Sequence, residues 1–168
     1  MERPALEPWL RGRVENVHPV AGALIRCFEH ALEDVERWTE DLNGEQLWAR
    51  PGGVAPVGFQ VRHIGRSVDR LMTYAQGKEL DAAQLEALRS EMQPGATRVE
   101  LLAELRAALE SAKAAVRAMD LSDESAPRYI GRKRIEAPLV GLLIHIAEHT
   151  QRHTGQAITT AKMVRAGG

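Results

Sequence analysis

The sequence predicts an all-α protein, a four-helix bundle with one short extra helix. Ala, Leu, Glu and Arg dominate, all strong helix formers, while aromatics make up 4% and β-branched runs are rare. Apolar residues recur at steps of three and four through four long segments, the period of a helix with one buried face. Capping and stop residues fall at the segment ends. At 168 residues the chain reads as one domain, 1–168 with its core over about 17–162, long enough to bury a sizeable apolar interior.

The first helix is predicted from about Pro19 to Asp41, on the stripe Val20, Leu24, Cys27, Phe28, Ala31, Val35 and Trp38. Asn43-Gly44 ends it. Two prolines and two glycines between Pro51 and Pro56 read as a loop. The second helix is expected from about Val57 to Gln76, with Gly77 as its stop. A shorter amphipathic piece follows from Asp81 to Met92, closed by Pro94-Gly95. Thr97-Arg-Val-Glu100 is a capping box, so the third long helix opens there and continues to Met119. Residues 121–137 are the least regular, with a basic turn or short hairpin around Gly131. The fourth long helix starts near Pro138, a residue suited to a first turn, and is expected to end near Lys162, leaving Val164 to Gly168 as a frayed tail.

Charge excludes some functions. With 22 basic and 23 acidic residues the net charge is -1, which argues against nucleic acid as the main partner. No run approaches the roughly 18 apolar residues of a membrane span. The first nine residues show no secretory pattern, and the lone Cys27 excludes an intrachain disulfide framework, so the expected location is cytoplasmic.

The chemistry concentrates near the end, at His145-Ile-Ala-Glu-His149-Thr-Gln-Arg-His153-Thr-Gly-Gln156. Residues four apart on a helix share a face, and two imidazoles so placed can reach one divalent metal ion. The row Leu142, His145, Ile146, His149, His153, Gln156 and Ala157 puts the histidines within the apolar stripe. A lone inward imidazole is ordinarily satisfied by backbone, water or a carboxylate. Three on one stripe, with another in a second helix, point instead to a metal site. His63 is the candidate third ligand. His145 competes with it, but three ligands at i, i+4 and i+8 on one helix span about 12 Å, too far for one ion to collect. His145 is therefore given a supporting or structural role. His18 and His30 have no assigned role, although His30 could approach from the first helix. Gln156 could orient a ligand or substrate.

Three stretches resemble a known family. Val61-Arg-His63-Ile-Gly-Arg-Ser67-Val-Asp69-Arg70 with its continuation to Gly77 looks like the second-helix motif of the DinB/YfiT-like superfamily. Glu148-His149-Thr-Gln-Arg-His153-Thr-Gly155-Gln156 looks like its last-helix motif, and Leu47-Trp-Ala-Arg-Pro51 resembles its first interhelical loop. The resemblance runs from about Val17 to Lys162. It implies a four-helix bundle with one divalent metal (zinc, nickel, iron or manganese) on His63, His149 and His153, commonly in a homodimer. Some related proteins are thiol S-transferases using low-molecular-weight thiols, so a thiol is a second candidate cofactor, acting on a small-molecule substrate. A metal-dependent hydrolase and a non-catalytic stress-response module are the alternatives. The basic turn carries one further expectation, that Arg128, Arg132 or Arg134 binds an anionic group such as a thiol cofactor's carboxylate.

Overall fold

Three of the four long helices, the one over Val57–Ala75 excepted, begin where the chain offers their first amides a partner. In a computed structural model, which describes residues 6–167, the helices are α1 (Pro19–Trp38), α2 (Gly44–Trp48), α3 (Val57–Ala75), α4 (Ala82–Arg89), α5 (Arg98–Arg117) and α6 (Leu139–Ala166). Residues 1–5, part of the stretch read for a secretory pattern, lie outside the described part, as does Gly168 at the end of the expected tail. Pro19 opens α1 behind His18, whose Nδ1 accepts from the Val20 amide. Thr97 and Glu100 form the expected capping box on α5. The same device opens α2, with Asn43 and Gln46, and α4, with Asp81 and Gln84. At the end of α3, Gly77 takes φ +74° and the Lys78 amide donates back to the Thr73 carbonyl at 3.0 Å, a turn that favours glycine.

The four long helices close a ring. α3 packs on both α5 and α6, and α1 packs on α6 and, less extensively, on α5. The interior holds Leu24, Phe28, Ile64, Leu105, Leu139 and Ile146, all at 2% exposure or less. The all-α expectation holds, with a two-stranded addition: β1 (Pro127–Ile130) pairs antiparallel with β2 (Ile135–Pro138), Arg128 opposite Ala137 and Ile130 opposite Ile135. Of the two forms expected for the basic segment, the hairpin is the one formed. No described helix is long and apolar enough to cross a membrane.

Several boundaries differ from the sequence expectation. α6 runs four residues past Lys162 because Val164 is buried and Arg165 is tied to α1, donating to the Trp38 carbonyl at 2.9 Å and pairing with Asp41. The frayed tail is thus helical as far as Ala166. α4 stops at Arg89, so Ser90 and Glu91 leave the helix. α1 ends at Trp38, and the unforeseen α2 buries Leu47. Pro51–Gly53 forms a 3-10 turn inside the expected loop, with positive φ at both glycines.

Candidate metal centre

His63 lies mid-way along α3, and His149 and His153 lie one turn apart on α6. The helices run antiparallel here, since Gln60 meets His153 while Ser67 meets His149. The row of α6 that enters the core is Leu142, Ile146, Thr150, Thr154, Ala157 and Ala161, all buried. The histidines sit on its flank, half-buried against α3, rather than within the apolar stripe. Buried Thr154 keeps its hydroxyl bonded to the Thr150 carbonyl, so hydroxyls sit in the core where the sequence offered only polar letters.

The three rings converge. Their centroids are separated by 5.2 Å (His63–His149), 4.3 Å (His63–His153) and 4.5 Å (His149–His153). One ring nitrogen from each lies within 4.8 Å of the other two. On every ring Nδ1 is already committed. That of His63 lies 2.7 Å from Glu91 Oε2, and that of His153 lies 2.7 Å from Gln60 Oε1. Nδ1 of His149 is 3.4 Å from Ser67 Oγ, whose own hydroxyl donates to the Ile64 carbonyl. An acceptor at Nδ1 fixes the tautomer with its proton there, leaving Nε2 as the free lone pair. Three imidazoles that each offer one ring nitrogen within 4.8 Å of the other two are a donor set that fits a divalent ion with further positions open.

The electrostatics agree. Burial pushes His149 down to about 4, helped by His153 and His63. Burial likewise pushes His153 down to about 4, helped by His63. Both are neutral at pH 7, and a ligand imidazole must be neutral. Burial acts to raise the Glu91 carboxyl, but hydrogen bonds from His63 and Arg70 outweigh it and hold Glu91 below the usual range. Arg70 Nη1 donates to Glu91 Oε1 at 2.6 Å, so the carboxylate is held from both sides. Arg62 fixes the backbone of the same turn: its Nη1 donates to the Gln93 carbonyl at 2.6 Å and to that of Glu91 at 3.2 Å. Its guanidinium also stacks 5.0 Å over Trp48. That stack needs Gly58, because a Cβ there would come 2.8 Å from the Trp48 ring. Phe59 stacks on His63 with centroids 5.3 Å apart.

Gln156 lies beside His153, while the other sequence candidates are not brought to this point. His145 is exposed, with its ring centroid 5.6 Å from that of His149 and its Nδ1 3.8 Å from Glu148. His30 faces Asp34 on its own helix, and His18 faces Glu124. Arg128 donates to the Ala75 carbonyl at the end of α3, twelve positions beyond His63 or roughly 18 Å along the helix. Arg134 pairs with Glu79 at 3.3 Å and stacks on Tyr129, and Arg132 lies beside it on the same cleft. Glu91 and Gln60 were not singled out in the sequence. Glu91 carries no periodic signal, because it stands just beyond a short helix and reaches His63 only through the fold.

A helical bundle with three histidines from two antiparallel helices, each backed by an acceptor, is a recognisable class of protein. A family model described as the DinB superfamily matches residues 27–157, and the chain belongs to that superfamily. No curated protein matches the chain.

Proposed function

We propose that the protein is a metal-dependent enzyme, with His63, His149 and His153 holding one divalent ion through Nε2, and that its reaction is transfer of a low-molecular-weight thiol to a small electrophile. The observation that carries this is the commitment of all three Nδ1 atoms, which leaves three adjacent lone pairs otherwise without purpose. The ion would supply Lewis acidity, lowering the pKa of a thiol or water beside it. Zinc is the first expectation, with nickel, iron and manganese as alternatives, since three imidazoles accept several of these ions.

The chain's own residues bind and orient. Glu91, held by Arg70, accepts the Nδ1 proton of His63 and keeps that ring turned to its partners; Gln60 and Ser67 do the same for His153 and His149. The protein supplies no nucleophile of its own here. The Cys27 thiol is pushed up by burial, is bonded toward the Ala147 carbonyl and lies beside Gln151. The attacking sulfur therefore comes from solution: the S–H bond gives up its proton to buffer, a carbon–sulfur bond forms, and the leaving group departs from the electrophile. The hairpin arginines have no part in this reading. A cytoplasmic homodimer completes it, supported by the lone cysteine and by the family resemblance, and sedimentation equilibrium checks the assembly.

The deciding assay loads the protein with zinc and offers chlorodinitrobenzene with glutathione, bacillithiol or mycothiol. Turnover that needs one of these thiols and disappears in His149→Ala is the expected result. Thiol-independent hydrolysis of ester or amide substrates would establish the hydrolase instead. Zinc binding without either activity would leave a non-catalytic module.

A further inference from the structure

A groove of about 610 Å³ lies next to the histidines, by the loop before α3 and on the side away from the basic hairpin. Its walls are the start of α3, with Phe59 and Gln60, and the last turns of α6, with Gly155, Gln156 and Met163; Val54 stands at its rim. Two of its lining residues touch the candidate centre. Gln60 is bonded to His153, and Phe59 is stacked on His63. Val54 and Met163 are 41% and 39% exposed, so the groove presents large apolar side chains to solvent beside the most polar part of the bundle. Its size is that of a small-molecule site.

Gly155 supplies an independent observation. It stands inside a 28-residue helix, where glycine is less stable than alanine. Its backbone is ordinary helix, and a Cβ built there would meet nothing within 4 Å. Neither packing nor backbone conformation asks for glycine. What its missing side chain does is keep the groove open, two residues or about half a turn beyond His153. The charge is one-sided as well. Arg152 lines the groove and no described acidic side chain does, although Arg152 also pairs with Glu148 just outside it.

We propose that this groove is the substrate cleft, and that it takes a neutral or anionic small molecule whose apolar body lies among Val54, Phe59 and Met163 over Gly155, with its reactive end toward His63 and His153. The proposal deepens the metal-dependent reading and rests on it for the reactive end alone.

The test is a titration of isotope-labelled full-length protein with anilinonaphthalene sulfonate, an apolar-bodied anion, followed by amide shifts in zinc-loaded and metal-free samples. Saturable shifts are expected at Val54, Gly155 and Met163. Gly155→Leu, which fills the groove with a good helix former, should weaken binding at least tenfold as read at Val54 and Met163, with zinc content and melting temperature kept or raised. Val54→Asp, on an exposed rim position, should weaken the anion by a comparable factor without touching the helix. The cationic analogue naphthylmethylamine should bind at least tenfold more weakly than the sulfonate. Wild-type affinity in both variants, or shifts confined to the exposed Leu6, Trp9 and Leu10, overturns the cleft. Equal binding of the two probes overturns the ligand class. Groove shifts in a protein that fails to retain zinc uphold the cleft and sink the metal reading, whereas tight zinc with no groove shifts does the reverse.

Discussion

The histidine cluster and the basic hairpin are both dense groups of polar side chains, and the fold treats them oppositely. In the hairpin, Arg128 gives its Nε proton to the Ala75 carbonyl and Arg134 turns to Glu79 and Tyr129. These contacts fasten β1 and its turn to the end of α3 and leave two of the three arginines with partners inside the chain. In the cluster, each imidazole uses one nitrogen inside the chain and keeps the other. The difference teaches that a candidate site is marked by unspent valence held in place by spent valence, and not by the number of polar residues. Exposed ion pairs such as Arg134–Glu79 are worth about 0–1 kcal/mol each. A divalent ion on three imidazoles would contribute far more to the folded state.

The largest test of that contrast removes a ligand. His63→Ala, His149→Ala and His153→Ala should each weaken zinc binding by more than the roughly 100-fold that marks the loss of an outer partner. Calorimetric titration with zinc measures this, and near-normal affinity in any one of them would remove that histidine from the site. Next comes the partner itself. Glu91→Gln keeps the shape but loses the charge facing His63 and Arg70, so zinc affinity should fall by about 10- to 100-fold with the fold intact. An unchanged dissociation constant would mean that Glu91 serves only the turn in which it lies.

A smaller effect comes from protons. His149 and His153 fall from 6.5 to about 4 on folding, so the unfolded chain takes up protons first as the pH drops. Stability contributed by the two neutral rings is complete above about pH 6.5 and is lost as pH falls toward 4. Urea midpoints of the metal-free protein at pH 7, 5.5 and 4.5 should decline through this window. A His149→Gln/His153→Gln double variant should decline less; identical slopes would refute the assignment. The smallest effect belongs to the hairpin. Replacing Arg128, Arg132 and Arg134 together with Gln should leave zinc affinity unchanged within twofold and shift stability by no more than about 1–2 kcal/mol. A loss of zinc would tie the hairpin to the site after all.

Most of the bundle was legible because it rests on local rules. The period of Leu101, Leu105, Leu109 and Ala112 and the Thr97–Glu100 box each specify a helix without reference to the rest of the chain. The convergence of His63 with His149 and His153 was legible as well, because helical spacing and the family motif point to the same residues. What was hidden depends on contacts between segments. The length of α6 is set by Arg165 reaching Asp41 and Trp38, 127 positions upstream in the latter case. Glu91 acquires its meaning from Arg70 and His63, and Gln60 from His153. No periodicity announces such residues, since one hydrogen bond across the bundle leaves no pattern along the chain.

Arg62 gives the segment from Gly77 to Thr97 an unusual status. Exposed connectors between helices ordinarily tolerate added or missing residues, because lengthening a loop costs little entropy. Here the carbonyls of Glu91 and Gln93 are anchored to one guanidinium, and the carboxylate between Arg70 and His63 hangs from the same turn. Adding one residue between Arg89 and Glu91 would swing that carboxylate out of register while leaving all three histidines untouched. The length of this connector is therefore a tuning parameter of the centre, and natural variation in loop size at this point would retune the site from outside it.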